Sequence, residues 1–211
     1  MFEIEYKGGN GVVISTKKTT LMVDPKLSLV GLKDMPVKDA IELTTEQRFA
    51  VVSPDSSLLI DGPGEYEVGD FIIKGTAAGR HIDQESVAKQ ATIYRIECGD
   101  VRLGVIGNVS PEFDEVLEEA IGVIDILIVP VGGGGYTLDA TSAATIVRQL
   151  SPSLVLPVHY ADSGLQYEVP QDTIDTFVSE LGAPVEKVSK LKVKSAASLP
   201  ETLTVFEVER S

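Results

Sequence analysis

The spacing of apolar and polar residues divides the chain into two halves with different periods. In the first half, short alternating or β-branched runs recur at Phe2 to Tyr6, Val12 to Ser15 and Thr20 to Val23. Gly8-Gly9-Asn10-Gly11 and Lys17-Lys18 separate them. Runs of this kind bounded by turn residues predict antiparallel strands. Phe49 to Val52, Leu58 to Ile60 and Phe71 to Lys74 continue the pattern. Asp61-Gly62-Pro63-Gly64-Glu65-Tyr66 puts Pro then Gly at its centre, the chemistry of a type II turn. Thr92 to Glu97 and Val101 to Ile106 flank Cys98-Gly99-Asp100, which predicts a hairpin.

The second half alternates helix and strand. Ser110 with Pro111 predicts a helix start. Phe113, Val116, Leu117, Ala120 and Ile121 then form one helical face, which Gly122 ends. Ile124 to Val129 is almost wholly apolar, the sign of a strand buried on both faces. Asp139 predicts a cap for a helix that turns Ala140, Ala143, Ala144, Val147 and Leu150 inward. Leu154 to Val158 reads as a second buried strand. Pro170 opens a third helix, with Ile174, Phe177, Val178 and Leu181 on one face and Gly182 as its stop. Leu203 to Val208 is the last expected strand.

A β-rich half followed by helix–strand alternation predicts an α/β fold of two packed sheets with helices outside. No repeat or linker divides the chain, so residues 1–211 are expected to form a single domain. The chain is 43% hydrophobic and 24% charged, ordinary values that exclude a disordered tail or a fibre. Its net charge of −14 argues against nucleic acid and against anionic membrane surfaces as partners. The lone Cys98 rules out an intrachain disulfide and fits a reducing compartment. The start lacks the pattern of a signal peptide, and no apolar run approaches the roughly 20 residues of a bilayer span. A cytoplasmic location is therefore expected. The lysines at positions 187, 190, 192 and 194 read as a solvated edge.

Few residues offer chemistry. His159 ends a buried strand, where open α/β sheets place their sites, although a strand-end histidine can also serve only as a hydrogen-bonding group. His81 lies in a loop two residues before Asp83 and could be plain surface. Asp24 ends the third strand and could orient a ligand or bond a turn. Asp61 and Glu65 have no role beyond their turn. Gly132-Gly133-Gly134-Gly135 precedes the helix capped by Asp139, so its amides could hold an anion. It matches neither a P-loop nor the dinucleotide fingerprint. No nucleophile elbow is present.

Five segments together carry a resemblance that runs along nearly the whole chain. They are Leu21 to Pro25, Ile60 to Val68, Asp125 to Gly133, Tyr136 to Ala140 and Pro157 to Tyr160. In combination they resemble the metallo-β-lactamase superfamily, in the branch of zinc-dependent hydrolases similar to ascorbate-6-phosphate lactonase. The resemblance implies a four-layer αββα sandwich and, in the family, zinc. The family's His-x-His-x-Asp-His motif is missing, because Ile41 to Val51 contains no histidine. The family's Gly-His appears as Gly8-Gly9, and its Gly-Asp as Gly107-Asn108. His159 falls on a family ligand, and His81 falls within about a residue of another.

From these departures no cofactor is expected, since an amide oxygen is a poor zinc ligand. Asp24, His81, Asn108, Gly133 and His159 are expected around one remnant cleft, with Tyr160 beside it. The competing expectation is that Glu46, Gln47 or Arg48 fills that space, with Arg48 supplying the missing positive charge. The functional expectation is a non-catalytic binding or assembly protein. Its alternative is a metal-dependent hydrolase of a small substrate, phosphorylated or not. A small-molecule ligand and self-association remain open as partners.

Overall fold

The computed structural model describes residues 1–81 and 90–211. Among the described residues the strands form two sheets. Six strands make the first: β1 (Phe2–Gly8), β2 (Gly11–Ser15), β3 (Thr20–Val23), β4 (Ile41–Leu43), β5 (Leu58–Ile60) and β13 (Leu191–Val193). Their order is β13-β1-β2-β3-β4-β5. The second contains β6 (Gly64–Val68), β7 (Phe71–Ala78), β8 (Ala91–Cys98), β9 (Val101–Val105), β10 (Ile126–Pro130), β11 (Leu154–Val158), β12 (Val185–Val188) and β14 (Thr204–Val208). Their order is β12-β14-β11-β10-β9-β8-β7-β6.

The first sheet is antiparallel from β13 to β3 and parallel from β3 to β5. The second is antiparallel from β6 to β9 and parallel from β9 through β10, β11 and β14 to β12. Every residue of β10 and β11 is buried, as strands covered on both faces require. The predicted hairpin pairs Cys98 with Val101 across Gly99-Asp100, with Gly99 at φ +63°.

Three α-helices are present among the described residues: α1 (Glu115–Ile121), α2 (Ala140–Leu150) and α3 (Ile174–Leu181). They belong to the second half, with α1 against β7 and β8, α2 against β10 and α3 against α2. In the first half the crossovers into the parallel strands carry only 3-10 turns, at Leu27–Val30 and Gln47–Phe49. Pro25, Gly31 and Pro36 interrupt any longer helix there. No helix among the described residues is long and apolar enough to cross a membrane.

Local bonding moved several elements from their expected places. Phe49 to Val52 is not a strand. The buried Glu42 carboxylate accepts the N–H groups of Val51, Val52 and Ser53, and Val52 sits at φ +56°. The strand lies earlier, at Ile41–Leu43, between β3 and β5. Gly64 lacks the positive φ of a type II turn and instead begins β6. The first helix starts at its Asp114 cap, whose carboxylate accepts Leu117 N–H, and not at Ser110. Val116 on that helix is exposed. The third helix starts after Thr173, not at Pro170. Asp172 is held outside the helix because its N–H donates to Gly132 O at 2.7 Å and its carbonyl accepts from Ala161 at 2.8 Å. The lysine edge pairs with acids, Lys187 with Glu207 and Lys190 with Glu3 and Glu5.

Candidate functional site

Parallel strands from both sheets end at one place. Asp24 follows β3 and Thr45 follows β4, and Asp24 N–H donates to Leu43 O at 2.9 Å. Asn108 follows β9, Gly132 follows β10 and His159 follows β11. Backbone bonds join the sheets there: Thr92 N–H to Thr45 O at 2.8 Å and His159 N–H to Gly9 O at 2.8 Å. Asp24 and His159 hold φ values of +47° and +52°, a conformation that non-glycine residues rarely adopt and that clusters at built sites.

Two glycines permit this convergence. A Cβ on Gly107 would lie 2.6 Å from the Thr45 Cβ, and one on Gly132 would lie 2.2 Å from the His159 carbonyl oxygen. A side chain at either position would force strand ends apart.

The buried polar side chains form a directed chain of hydrogen bonds. Glu46 is buried, with Arg48 Nη2 donating to its Oε1 at 2.9 Å and Arg80 Nη1 to its Oε2 at 3.4 Å. Asn108 Nδ2 donates to Glu46 Oε1 at 3.3 Å, and Asn10 Nδ2 donates to Asn108 Oδ1 at 3.2 Å. His159 Nδ1 lies 3.1 Å from Asn10 Oδ1. A carboxylate can only accept, so Asn108 must turn its NH₂ to Glu46 and its carbonyl to Asn10. Asn10 then turns its own carbonyl to His159, which must donate from Nδ1. The tautomer of His159 is thereby set, and its Nε2 carries the lone pair.

Burial keeps that imidazole neutral. Desolvation, and then the positive charge of Arg48, push the His159 pKa down to about 3. Asp24 shifts the opposite way, up to about 7, because burial outweighs the two bonds it accepts from Thr45. Those bonds, from Thr45 N and Thr45 Oγ, are both 2.7 Å long.

Aromatic rings close over the cluster. Tyr167 stacks on His159 with centroids 4.8 Å apart, and Tyr136 lies 6.4 Å from it. The Arg48 guanidinium lies 4.7 Å from the Phe49 ring centroid and 4.8 Å from that of Tyr136, and it donates to the Tyr136 hydroxyl.

Of the residues singled out in the sequence, Asn108 and His159 are joined through Asn10. His81 reaches the same region, with its N–H on Asn108 O at 2.9 Å and its Nδ1 3.2 Å from Gly135 O. Asp83 lies outside the described residues. Gly133 donates to Leu138 O at 3.0 Å and folds the glycine run back toward Asp139, the α2 cap. Asp24 faces Thr45 rather than the asparagine chain. Tyr160 stacks on Tyr6 at 5.7 Å, and its carbonyl accepts from Tyr167. Asp61 lines a surface recess on the far side of the Glu46 clamp, which Glu46, Arg48 and Arg80 also line. Sequence reasoning missed Asn10, Thr45, Tyr136 and Tyr167. Asn10 reads as turn chemistry because it sits between glycines, and nothing local marks its bond across the sheets.

Residues 3–159 match the family model described as a beta-lactamase superfamily domain. The chain is 35% identical over 99 residues to a UPF0173 protein of Pyrococcus furiosus, covering 46% of this chain and 44% of that one. It is 31% identical over 100 residues to a UPF0173 metal-dependent hydrolase of Pyrococcus horikoshii, covering 47% of this chain and 44% of that one. The match therefore spans less than half the length of these relatives. Among solved structures, a candidate Zn-dependent hydrolase of the metallo-beta-lactamase superfamily from Thermotoga maritima superposes with a TM-score of 0.75. The superposition covers 99% of this chain and 100% of that one at 20% identity, a likeness of fold.

Proposed function

Because the chain belongs to the beta-lactamase superfamily, its strand-end cluster can be judged against a metal centre, and we propose that it is a non-catalytic binding protein that works without zinc. The observation that carries this reading is the Glu46 carboxylate, clamped by Arg48 and Arg80 at the head of the Asn108–Asn10–His159 chain. A catalytic zinc takes three protein ligands from thiolate, imidazole and carboxylate and keeps one position for water. The donors here do not suit it. Both Asp24 oxygens accept from Thr45, Glu46 is occupied by guanidinium groups, and Asn108 offers a neutral amide already bonded. No group of three histidine, cysteine or acidic side chains is placed to hold a metal among the described residues. A zinc ion would also meet the positive charge of Arg48.

Arg48 thus supplies the cation that the fold's relatives take from a metal. It is a permanent charge with no exchangeable water, so it can stabilise the buried carboxylate but cannot generate a hydroxide nucleophile. The second reading is a metal-dependent hydrolase of a small substrate, phosphorylated or not, and the name of the Pyrococcus horikoshii relative favours only its metal-dependent hydrolase part. We place the protein in the cytoplasm on the strength of its single cysteine.

Metal analysis of untagged protein separates the two readings. The expected result is no stoichiometric zinc after dialysis. Near-equimolar zinc that survives dialysis and disappears in His159→Ala would restore the hydrolase reading.

A further inference from the structure

Beside His159 lies a small cavity of about 150 Å³. An apolar cavity of about that size holds a benzene-sized molecule. Its walls are mostly apolar: Leu29, Val30 and Val169, with the rings of Phe49, Tyr136 and Tyr167. His159, Arg48 and Gln171 supply the polar groups of the lining, with the Gln171 Oε1 buried and without a hydrogen-bond partner among the described residues, while Glu168 is exposed at the rim.

We propose that this cavity binds a neutral, single-ring compound bearing one hydroxyl or N–H donor, which the His159 Nε2 lone pair accepts. The proposal rests on the metal-free reading of the cluster, since a metal would occupy that nitrogen.

Three observations define the occupant. The first is size. A cavity of about 150 Å³ admits one ring and little more.

The second is the direction of hydrogen bonding. Asn10 holds the Nδ1 edge of the imidazole and is not part of the cavity wall, so the Nε2 edge is the one left toward the cavity. The carboxylate-anchored chain makes Nδ1 the donor and Nε2 a pure acceptor. Nε2 meets no donor among the described residues. A ligand that brings an O–H or N–H completes its bonding, while one that brings only acceptors leaves two lone pairs facing each other.

The third is charge. A cationic ligand would seek aromatic faces, but the Arg48 guanidinium already lies near the Phe49 and Tyr136 rings, within 4.8 Å of each centroid. A second cation there meets a like charge. An anionic ligand would seek Arg48, but that charge is already paired with Glu46 at 2.9 Å. The exposed Glu168 at the rim and a net charge of −14 further oppose anions. A neutral donor is what remains.

The test is ligand-observed NMR on the metal-analysed full chain with four probes: phenol, benzene, benzoate and benzylamine. Phenol should bind about fivefold or more tighter than benzene, the worth of one net hydrogen bond. Benzoate and benzylamine should bind more weakly than phenol. Val169→Trp, which fills the cavity from a half-buried wall, should abolish phenol binding while leaving the melting curve cooperative. Leu29→Trp at the exposed lip is the second variant if the first does not fold. Equal affinity for phenol and benzene would overturn the acceptor role of Nε2. Tighter binding of benzoate or benzylamine would overturn the charge argument. Phenol binding that survives a folded cavity-filling variant would place the site elsewhere. Absence of phenol binding in zinc-free protein refutes this inference and leaves the metal-free reading standing. Equimolar zinc in the same sample refutes that reading itself.

Discussion

At the scale of single residues, two buried ionisable groups oppose each other. Asp24 titrates in the folded protein at about 7, whereas an unfolded aspartate titrates near about 3.9. Between those values the folded state keeps a proton that the unfolded chain has lost. The stabilisation from Asp24 is therefore full below about pH 4 and fades as pH rises to about 7. His159 behaves oppositely, with a folded pKa of about 3 against about 6.5 unfolded. Its contribution is full above about pH 6.5 and fades as pH falls. Asp24→Asn keeps an NH₂ that can donate to Thr45 Oγ as the protonated acid would, but it cannot titrate. The variant should gain on the wild type steadily from about pH 4 to about pH 7, read as the difference in urea midpoint. A difference that stays constant with pH would show that Asp24 titrates normally. The site was legible in the sequence only as far as strand ends reveal. Asp24, Asn108 and His159 each follow a readable strand. Asn10 and Tyr167 meet His159 from distant loops, through contacts that no local pattern encodes.

At the scale of elements, helices are fixed by short capping contacts more than by their apolar faces. Asp139 accepts Ser142 N–H at 2.7 Å and starts α2 where the sequence places it. Asp139→Ala should cost about 1 kcal/mol in equilibrium unfolding, and Asp139→Asn should retain most of the stability. Equal losses in the two variants would show that the charge matters and the cap does not. The same logic explains which boundaries were legible. Gly122 and Gly182 end α1 and α3 as read, because a C-terminal glycine acts locally. Ser110 and Pro170 look like helix starts by composition. Phe113 N–H is drawn instead to Pro111 O at 2.9 Å, and Asp172 N–H to the glycine run. The strand β4 was illegible because its middle residue, Glu42, breaks the apolar pattern while serving as a buried acceptor for a loop nine residues on. Apolar runs such as Leu154 to Val158 need no such knowledge, and this strand appears where it was read.

At the scale of the whole molecule, the question is what holds two sheets together at the edge where their strand ends converge. Here that edge is closed by protein groups. Tyr94 OH donates to Thr44 O at 2.9 Å, Asn10 bonds Asn108, and His159 N–H bonds Gly9 O. Each crosses from one sheet to the other, and the charge they enclose is balanced by Arg48 and Arg80. Behind them one continuous apolar core draws on both sheets and on the inner faces of the helices. Stability should therefore follow apolar burial and be indifferent to metal. Excess chelator should leave the melting temperature unchanged. Phe177→Ala, which empties a fully buried position of α3, should by contrast cost about 3–5 kcal/mol. For a chain of this length that is a fall of roughly 6–20 °C. A chelator-induced fall of comparable size would mean that a bound metal, rather than the Glu46 clamp and the hydrogen bonds across the sheets, keeps this edge closed.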